Sequence, residues 1–136
     1  MVHIKTGLIN LLKKQRTTHN RQTINRVIGH AEINRIDSKN KSARLCRILI
    51  ADKSDRNRGY GQMIINKLLK IGFEELNLHR IDLGVFDFNK SAIKCYEKCG
   101  FKKEGLLRDS FVIENEFYSV FNMSILREEW KNNQLN

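Results

Sequence analysis

Between Met63 and Leu76 the apolar residues Met63, Ile64, Leu68, Ile71 and Phe73 recur near a 3.6-residue period, with Ile65, Leu69 and Leu76 widening the stripe. This predicts an amphipathic helix that opens directly out of the polar, glycine-bearing stretch Asp52 to Gly61. Ahead of it, Val27, Ile28, Ala31, Ile33 and Ile36 predict a strand over 23–36, and Asp37 to Lys41 has turn composition. A second strand over 43–51 follows, in which Leu45, Ile48, Leu49 and Ile50 become continuously apolar, as in a strand covered on both faces. Downstream, Ile81, Leu83 and Val85 alternate with Asp82 and Gly84, a strand from His79 to Phe86. Asn89 or Ser91 then caps a short helix that runs to Cys99 and closes at Gly100. Two last strands, 106–113 and 117–126, flank the turn Glu114-Asn115-Glu116. At the amino end Ile4, Leu8, Leu11 and Leu12 share a helix face, and a single thin stripe of this kind predicts a marginal helix. The order β-β-α-β-α-β-β is that of an α/β sheet with antiparallel hairpins and one crossover.

Length and charge narrow this picture. A chain of 136 residues with 40% apolar positions supports one domain. No window approaches the roughly 18 apolar residues of a bilayer span, and the start Met-Val-His-Ile-Lys lacks a signal-peptide layout, so a soluble cytoplasmic protein without membrane partners is expected. Three cysteines, Cys46, Cys95 and Cys99, are an odd set, and reduced thiols are expected. Cys95 and Cys99 share a helix face, but no nearby cysteine or histidine completes a tetrahedral metal set, and no metal is expected. Trp130 lies in a charged tail and is expected to pack back on the domain. A formal charge of +10 favours a polyanionic partner: nucleic acid, membrane surface or a phosphate-rich cofactor.

The loop before the long helix decides among these. A helix N-terminus leaves about four N–H groups unpaired and carries partial positive charge, which suits a phosphate. Gly59 and Gly61 remove side chains where a backbone meets an anion, and Arg56 and Arg58 add charge beside it. The loop matches neither the Walker nor the dinucleotide fingerprint. Its form, Arg56-x-x-Gly59-x-Gly61, is followed one strand later by Asn89, Ala92, Tyr96, Lys98, Gly100 and Phe101 at fixed spacings. Together these resemble the GNAT N-acetyltransferases, with Gly105-Leu106-Leu107-Arg108 and Met123 to Arg127 closest to the ribosomal-protein N-terminal and spermidine acetyltransferase branches. The resemblance covers residues 27–130 of a single abbreviated domain, 1–136.

The resemblance implies a mixed, mostly antiparallel sheet, with a central parallel pair splayed at the cofactor site and helices on both faces. It implies that acetyl-CoA is bound by backbone groups of Leu49 and Ile50 at the pantetheine arm and by Arg56, Asn57, Arg58, Gly59, Tyr60 and Gly61 at the pyrophosphate. Asn89 would bond the pantetheine, Lys98 would reach a CoA phosphate, and Tyr96 would sit beside the sulfur. The chemistry supports that last role, since attack of an amine on a thioester expels a thiolate that a phenol can protonate. Two departures stand out. Family members carry a further strand and one or two helices ahead of the matched part, so the acceptor pocket is abbreviated here or completed by a second subunit in a homodimer. Where many relatives read Ala-Glu-Leu, this chain reads Ala43-Arg44-Leu45, which leaves Glu32, Asp109 or a water chain as the base.

The expected activity is therefore transfer of an acetyl group from acetyl-CoA to a primary amine in a ternary complex. A catalytically degenerate CoA-binding protein and a basic nucleic-acid-binding module are the rival readings. The second lacks any zinc knuckle or RRM signature.

Overall fold

A computed structural model describes residues 2–5, 8–16, 23–50 and 59–135, with backbone alone for residues before 30 and for 47, 49 and 50. The chain runs β1 (Val2–Lys5), β2 (Leu8–Arg16), β3 (Thr23–Asp37), β4 (Ser42–Ile50), α1 (Tyr60–Lys70), a π-helical turn (Ile71–Glu75), β5 (Arg80–Phe86), α2 (Lys90–Lys98), β6 (Lys102–Ile113), β7 (Glu116–Leu126) and α3 (Arg127–Gln134). The strands form one sheet in the order β1-β2-β3-β4-β5-β7-β6. Every neighbouring pair is antiparallel except β4 and β5, which are parallel.

The helix expected around Ile4 to Leu12 is instead a strand hairpin. Val2–Lys5 pairs with Leu8–Leu11, and β2 pairs along β3 from Leu8↔Glu32 to Arg16↔Thr23. The fifteen-residue β3 offers a template for hydrogen bonding that a single thin helical stripe cannot outweigh. The other predicted elements stand close to their expected limits, except that β6 begins at Lys102 rather than Leu106 and the polar tail forms α3. The turn after β3 is fixed by Asp37, whose carboxylate accepts from the Asn40 backbone N–H at 2.9 Å and from its Nδ2 at 2.8 Å. Asn89, rather than Ser91, is the N-cap of α2, its Oδ1 accepting from the Ala92 N–H at 3.3 Å. The β6–β7 turn places Glu114 and Asn115 at φ 50° and 66°, as the primed two-residue hairpin turns require.

Register shows where the core lies. Ala43, Leu45, Ile81, Leu83, Met123 and Ile125 are partners across β4, β5 and β7, so they share one face, and all are buried. Ile64, Ile65, Leu68 and Leu69 of α1, Ile93 of α2 and Trp130 of α3 close onto the same core, with Trp130 against Phe73 at 5.4 Å between ring centroids. The tail tryptophan thus packs back as expected. The described helices cover this one face. The opposite face, where helices were also expected, carries a polar lattice among the described residues: Arg44 Nη1 donates to Asp82 Oδ1 at 3.1 Å and to Asn122 Oδ1 at 3.0 Å, and Arg80 bridges Asp82 and Glu104. No helix among the described residues is long and apolar enough to cross a membrane.

Candidate active site

The site is built where the only parallel pair of the described sheet comes apart. Pairing between β4 and β5 runs from Ser42↔Arg80 to Leu45↔Leu83 and then stops, although β4 continues to Ile50 and β5 to Phe86. Two features mark that point. On the β3 side, Glu32 pairs with Cys46 and His30 with Leu49, so Arg47 and Ile48 together oppose Ala31. A bulge of this kind bends the strand and turns backbone groups away from the ladder. On the β5 side, Gly84 has no side chain, and a Cβ there would lie 2.7 Å from Arg44 Nη2. The bulge was not legible in the sequence, because Leu45, Ile48, Leu49 and Ile50 read as a strand that becomes continuously apolar.

Leu49 and Ile50 lie past the bulge, paired to His30 and Gly29 on one edge. Their other edge faces the gap left by β5. Arg56, Asn57 and Arg58 lie outside the described residues. Gly59 is described, at φ +80° with nothing within 4 Å of where a Cβ would stand, and it precedes Tyr60 and Gly61 in the first turn of α1. That turn has no side-chain cap and no acidic residue. The leading N–H groups of such a turn, with no acidic residue of its own, suit an anionic ligand. The cradle fits a pyrophosphate.

Helix α2 lies against this turn. A Cβ on Gly61 would stand 3.5 Å from Cys95 Sγ, and the buried Cys99 thiol faces the Gln62 carbonyl at 3.9 Å. Cys95 thus lies against the glycine turn and Cys99 in the core. Tyr96, between them, is half-buried with its ring tilted on Phe101 at 6.2 Å. Burial pushes its phenol up to about 12, and the neighbouring thiols add to the shift. The Cys95 thiol is held below the ordinary range, first by a hydrogen bond from Cys99 and then by the charge of Lys98, and Cys99 is raised in turn. Asn89 and Lys98 mark opposite ends of α2.

The two candidate carboxylates differ. Glu32 is buried at 8% exposure on β3, one position beyond the last β4–β5 pair, with Asn34 Nδ2 donating to it at 3.0 Å and His30 Nε2 at 3.4 Å. Asp109 sits exposed in the β6 irregularity at φ 48°, its N–H bonded to Ser119 Oγ. Arg44, at the position where a family glutamate was looked for, is tied into the Asp82–Asn122 lattice.

Residues 9–101 match the profile of the acetyltransferase (GNAT) family. The chain is 36% identical over 106 residues to the spermidine N(1)-acetyltransferase of Vibrio cholerae serotype O1, an alignment that covers 78% of this chain and 60% of that protein. The solved structure of spermidine N-acetyltransferase from Vibrio cholerae in complex with CoA and spermine superposes with a TM-score of 0.73 at 36% identity, over 79% of this chain and 62% of that one. A dodecameric structure of spermidine N-acetyltransferase from the same organism gives 0.73 at 35% identity, over 79% and 62%. This chain thus spans about three fifths of the length of the relatives it matches.

Proposed function

This chain belongs to the GNAT family of acetyltransferases, and we propose on that premise that it moves the acetyl group of acetyl-CoA to a primary amine by direct transfer within a ternary complex. The observation that carries the reading is the splay: a parallel pair that ends at Leu45↔Leu83, with a bulge on one strand and an uncapped glycine-led helix following it.

Acetyl-CoA supplies the acetyl group as a thioester, whose carbonyl carbon the amine nitrogen attacks. The chain's residues bind, orient and move protons around that event. Leading N–H groups at Gly59, Tyr60 and Gly61, with Arg56, Asn57 and Arg58 ahead of them, hold the pyrophosphate. Backbone groups of Leu49 and Ile50 and the Asn89 carboxamide line up the pantetheine arm, and Lys98 meets a phosphate. N–H donors turned out at the β4 bulge stabilise charge that develops on the carbonyl oxygen. Tyr96 keeps a proton on Oη at neutral pH, because burial raises its phenol, and gives it to the departing thiolate. We assign removal of the ammonium proton to Glu32, the buried carboxylate on β3 next to the last β4–β5 pair.

A polyamine is the first acceptor to test, since similarity to a spermidine acetyltransferase favours it, although a formal +10 charge opposes a polycation at long range. The cytoplasm, where acetyl-CoA and reduced thiols coexist, is the proposed compartment. The test is thiol release from acetyl-CoA in the presence of spermidine, spermine, a free-amino peptide or an aminoglycoside. Release that depends on one of these amines is the expected outcome. Saturable CoA binding without amine-dependent release from any of them would contradict it and establish a degenerate CoA-binding domain.

A further inference from the structure

The face of the sheet opposite the core carries a guanidinium with an unused edge. A guanidinium has five N–H donors. Arg44 uses those of Nη1, on Asp82 Oδ1 at 3.1 Å and Asn122 Oδ1 at 3.0 Å. Its Nε–H and its Nη2 N–H groups have no protein partner among the described residues. The one buried orphan nitrogen there is Arg127 Nε, so this edge of Arg44, whose side chain is 26% exposed, is open. Nε and Nη2 together make the planar fork that takes a carboxylate bidentately.

The fork stands at the mouth of the splay. Nη2 lies over Gly84, 2.7 Å from where a Cβ would be, so the glycine leaves the guanidinium its place. Cys46 and Gly84 are the first residues past the last β4–β5 pair, Leu45↔Leu83. Glu32 pairs with Cys46 and Gly84 with Asn122, which sets Glu32, the guanidinium and Asn122 along one row across the sheet. The neighbours of Glu32 and Gly84 along their strands, Ala31, Ile33, Leu83 and Val85, are buried in the core, so the row belongs to the opposite face. Phe86, two residues past Gly84 on that face, leads into rings of Phe88 at 5.2 Å and Phe111 at 5.6 Å, both more than half exposed.

From this we infer that Arg44 receives a carboxylate of the acceptor, and that the amine acetylated by this chain belongs to an amino acid or short peptide. The inference rests on the proposed acetyl transfer and names its substrate class. Such a zwitterion sets its ammonium toward Glu32, where the proton leaves, and its carboxylate on the Nε–Nη2 fork, while an apolar side chain meets the rings beyond Gly84. A polyamine instead brings a cation against the guanidinium, a repulsion that adds to that of the formal +10 charge.

Acceptors that differ only in the carboxylate test this: L-phenylalanine against L-phenylalaninamide, L-alanyl-L-phenylalanine against its amide, and spermidine beside them, each followed by thiol release from acetyl-CoA. At least one acid is expected to exceed both its amide and spermidine about tenfold or more in kcat/KM. Arg44→Lys keeps a cation beside Asp82 but loses the fork, and in it the ratio of acid to amide is expected to fall toward one through the KM of the acid. Calorimetric binding of the same acid to the CoA-saturated protein, which needs no turnover, is expected to weaken about tenfold or more in that variant, with the circular dichroism spectrum unchanged. Amine-dependent release with acids and amides equal, or with spermidine preferred, would overturn the inference and leave acetyl transfer standing; this comparison in the wild type needs no variant. Acid binding unaltered in a folded Arg44→Lys protein would overturn it as well. Acid binding that depends on Arg44, without release from any amine, would instead uphold the carboxylate site and overturn acetyl transfer.

Discussion

In the proposed mechanism Tyr96 concentrates the chemistry in one side chain, and its environment sets what it can do. The phenol is raised by burial, so its proton stays on throughout the neutral range and is lost only as pH rises toward about 12. Tyr96→Phe is therefore expected to lower turnover on the order of 10²-fold or more with CoA affinity nearly unchanged, measured as kcat against the calorimetric Kd. Equal turnover in the two proteins across pH would remove the phenol from the proposed mechanism. Cys95 makes a second prediction. Its thiol is lowered by Cys99 and Lys98, so alkylation by iodoacetamide should reach half its maximal rate at a lower pH than for an ordinary thiol, and Cys99→Ala should return it toward the ordinary value. A third concerns Gly59. Gly59→Ala meets no atom within 4 Å but strains a φ of +80°, costing about 1–2 kcal/mol, whereas Gly59→Glu adds a carboxylate to the pyrophosphate cradle. Calorimetry should find CoA affinity largely kept in the alanine variant and lost in the glutamate variant; equal affinities would sink the loop assignment.

At the scale of elements, what the sequence made legible was whatever a local rule governs. The 3.6-residue stripe of α1, the alternation of β5, the Asn89 cap and the Glu114-Asn115 turn each depend on neighbours along the chain. The amino-terminal hairpin, the β4 bulge and the burial of Glu32 depend on partners across the sheet, and no local pattern carries them. The stripe Ile4, Leu8, Leu11 and Leu12 fits a helix as written and becomes strand because β3 extends far enough to pair with it. The end of α1 is a similar case. Its periodicity reaches Leu76, but the last turn is a π-helix in which Gly72 passes so close to Ile81 that a Cβ would lie 2.6 Å from Cδ1. Gly72→Ala is therefore expected to destabilise the domain by about 1–3 kcal/mol, read from denaturant midpoints. The hairpin turn offers the opposite change. Asn115→Gly relieves a residue at φ 66° and suits the primed turn, with an expected gain of about 0.4–1 kcal/mol. A loss of stability there would mean that the turn geometry is held by something other than local backbone preference.

At the scale of the whole molecule, the charge on the chain and the site in the sheet point to the same class of ligand. A formal +10 is a general attraction for polyanions, and it falls away with ionic strength. A splayed strand pair with a glycine-led helix is a particular fit for one polyanion, and it does not depend on long-range charge. The motifs from which the cofactor site is proposed were legible because they are short and local. No acceptor site was legible, because an acceptor pocket depends on elements distant along the chain and no short local motif marks it. The most direct test of the central claim is a calorimetric titration of the full chain with acetyl-CoA, with ATP as the control, at low and at high salt. Saturable one-to-one binding of acetyl-CoA that survives high salt and is absent for ATP is the predicted result. Equal binding of both ligands that high salt abolishes would contradict the account, leaving a basic surface without a specific cofactor site.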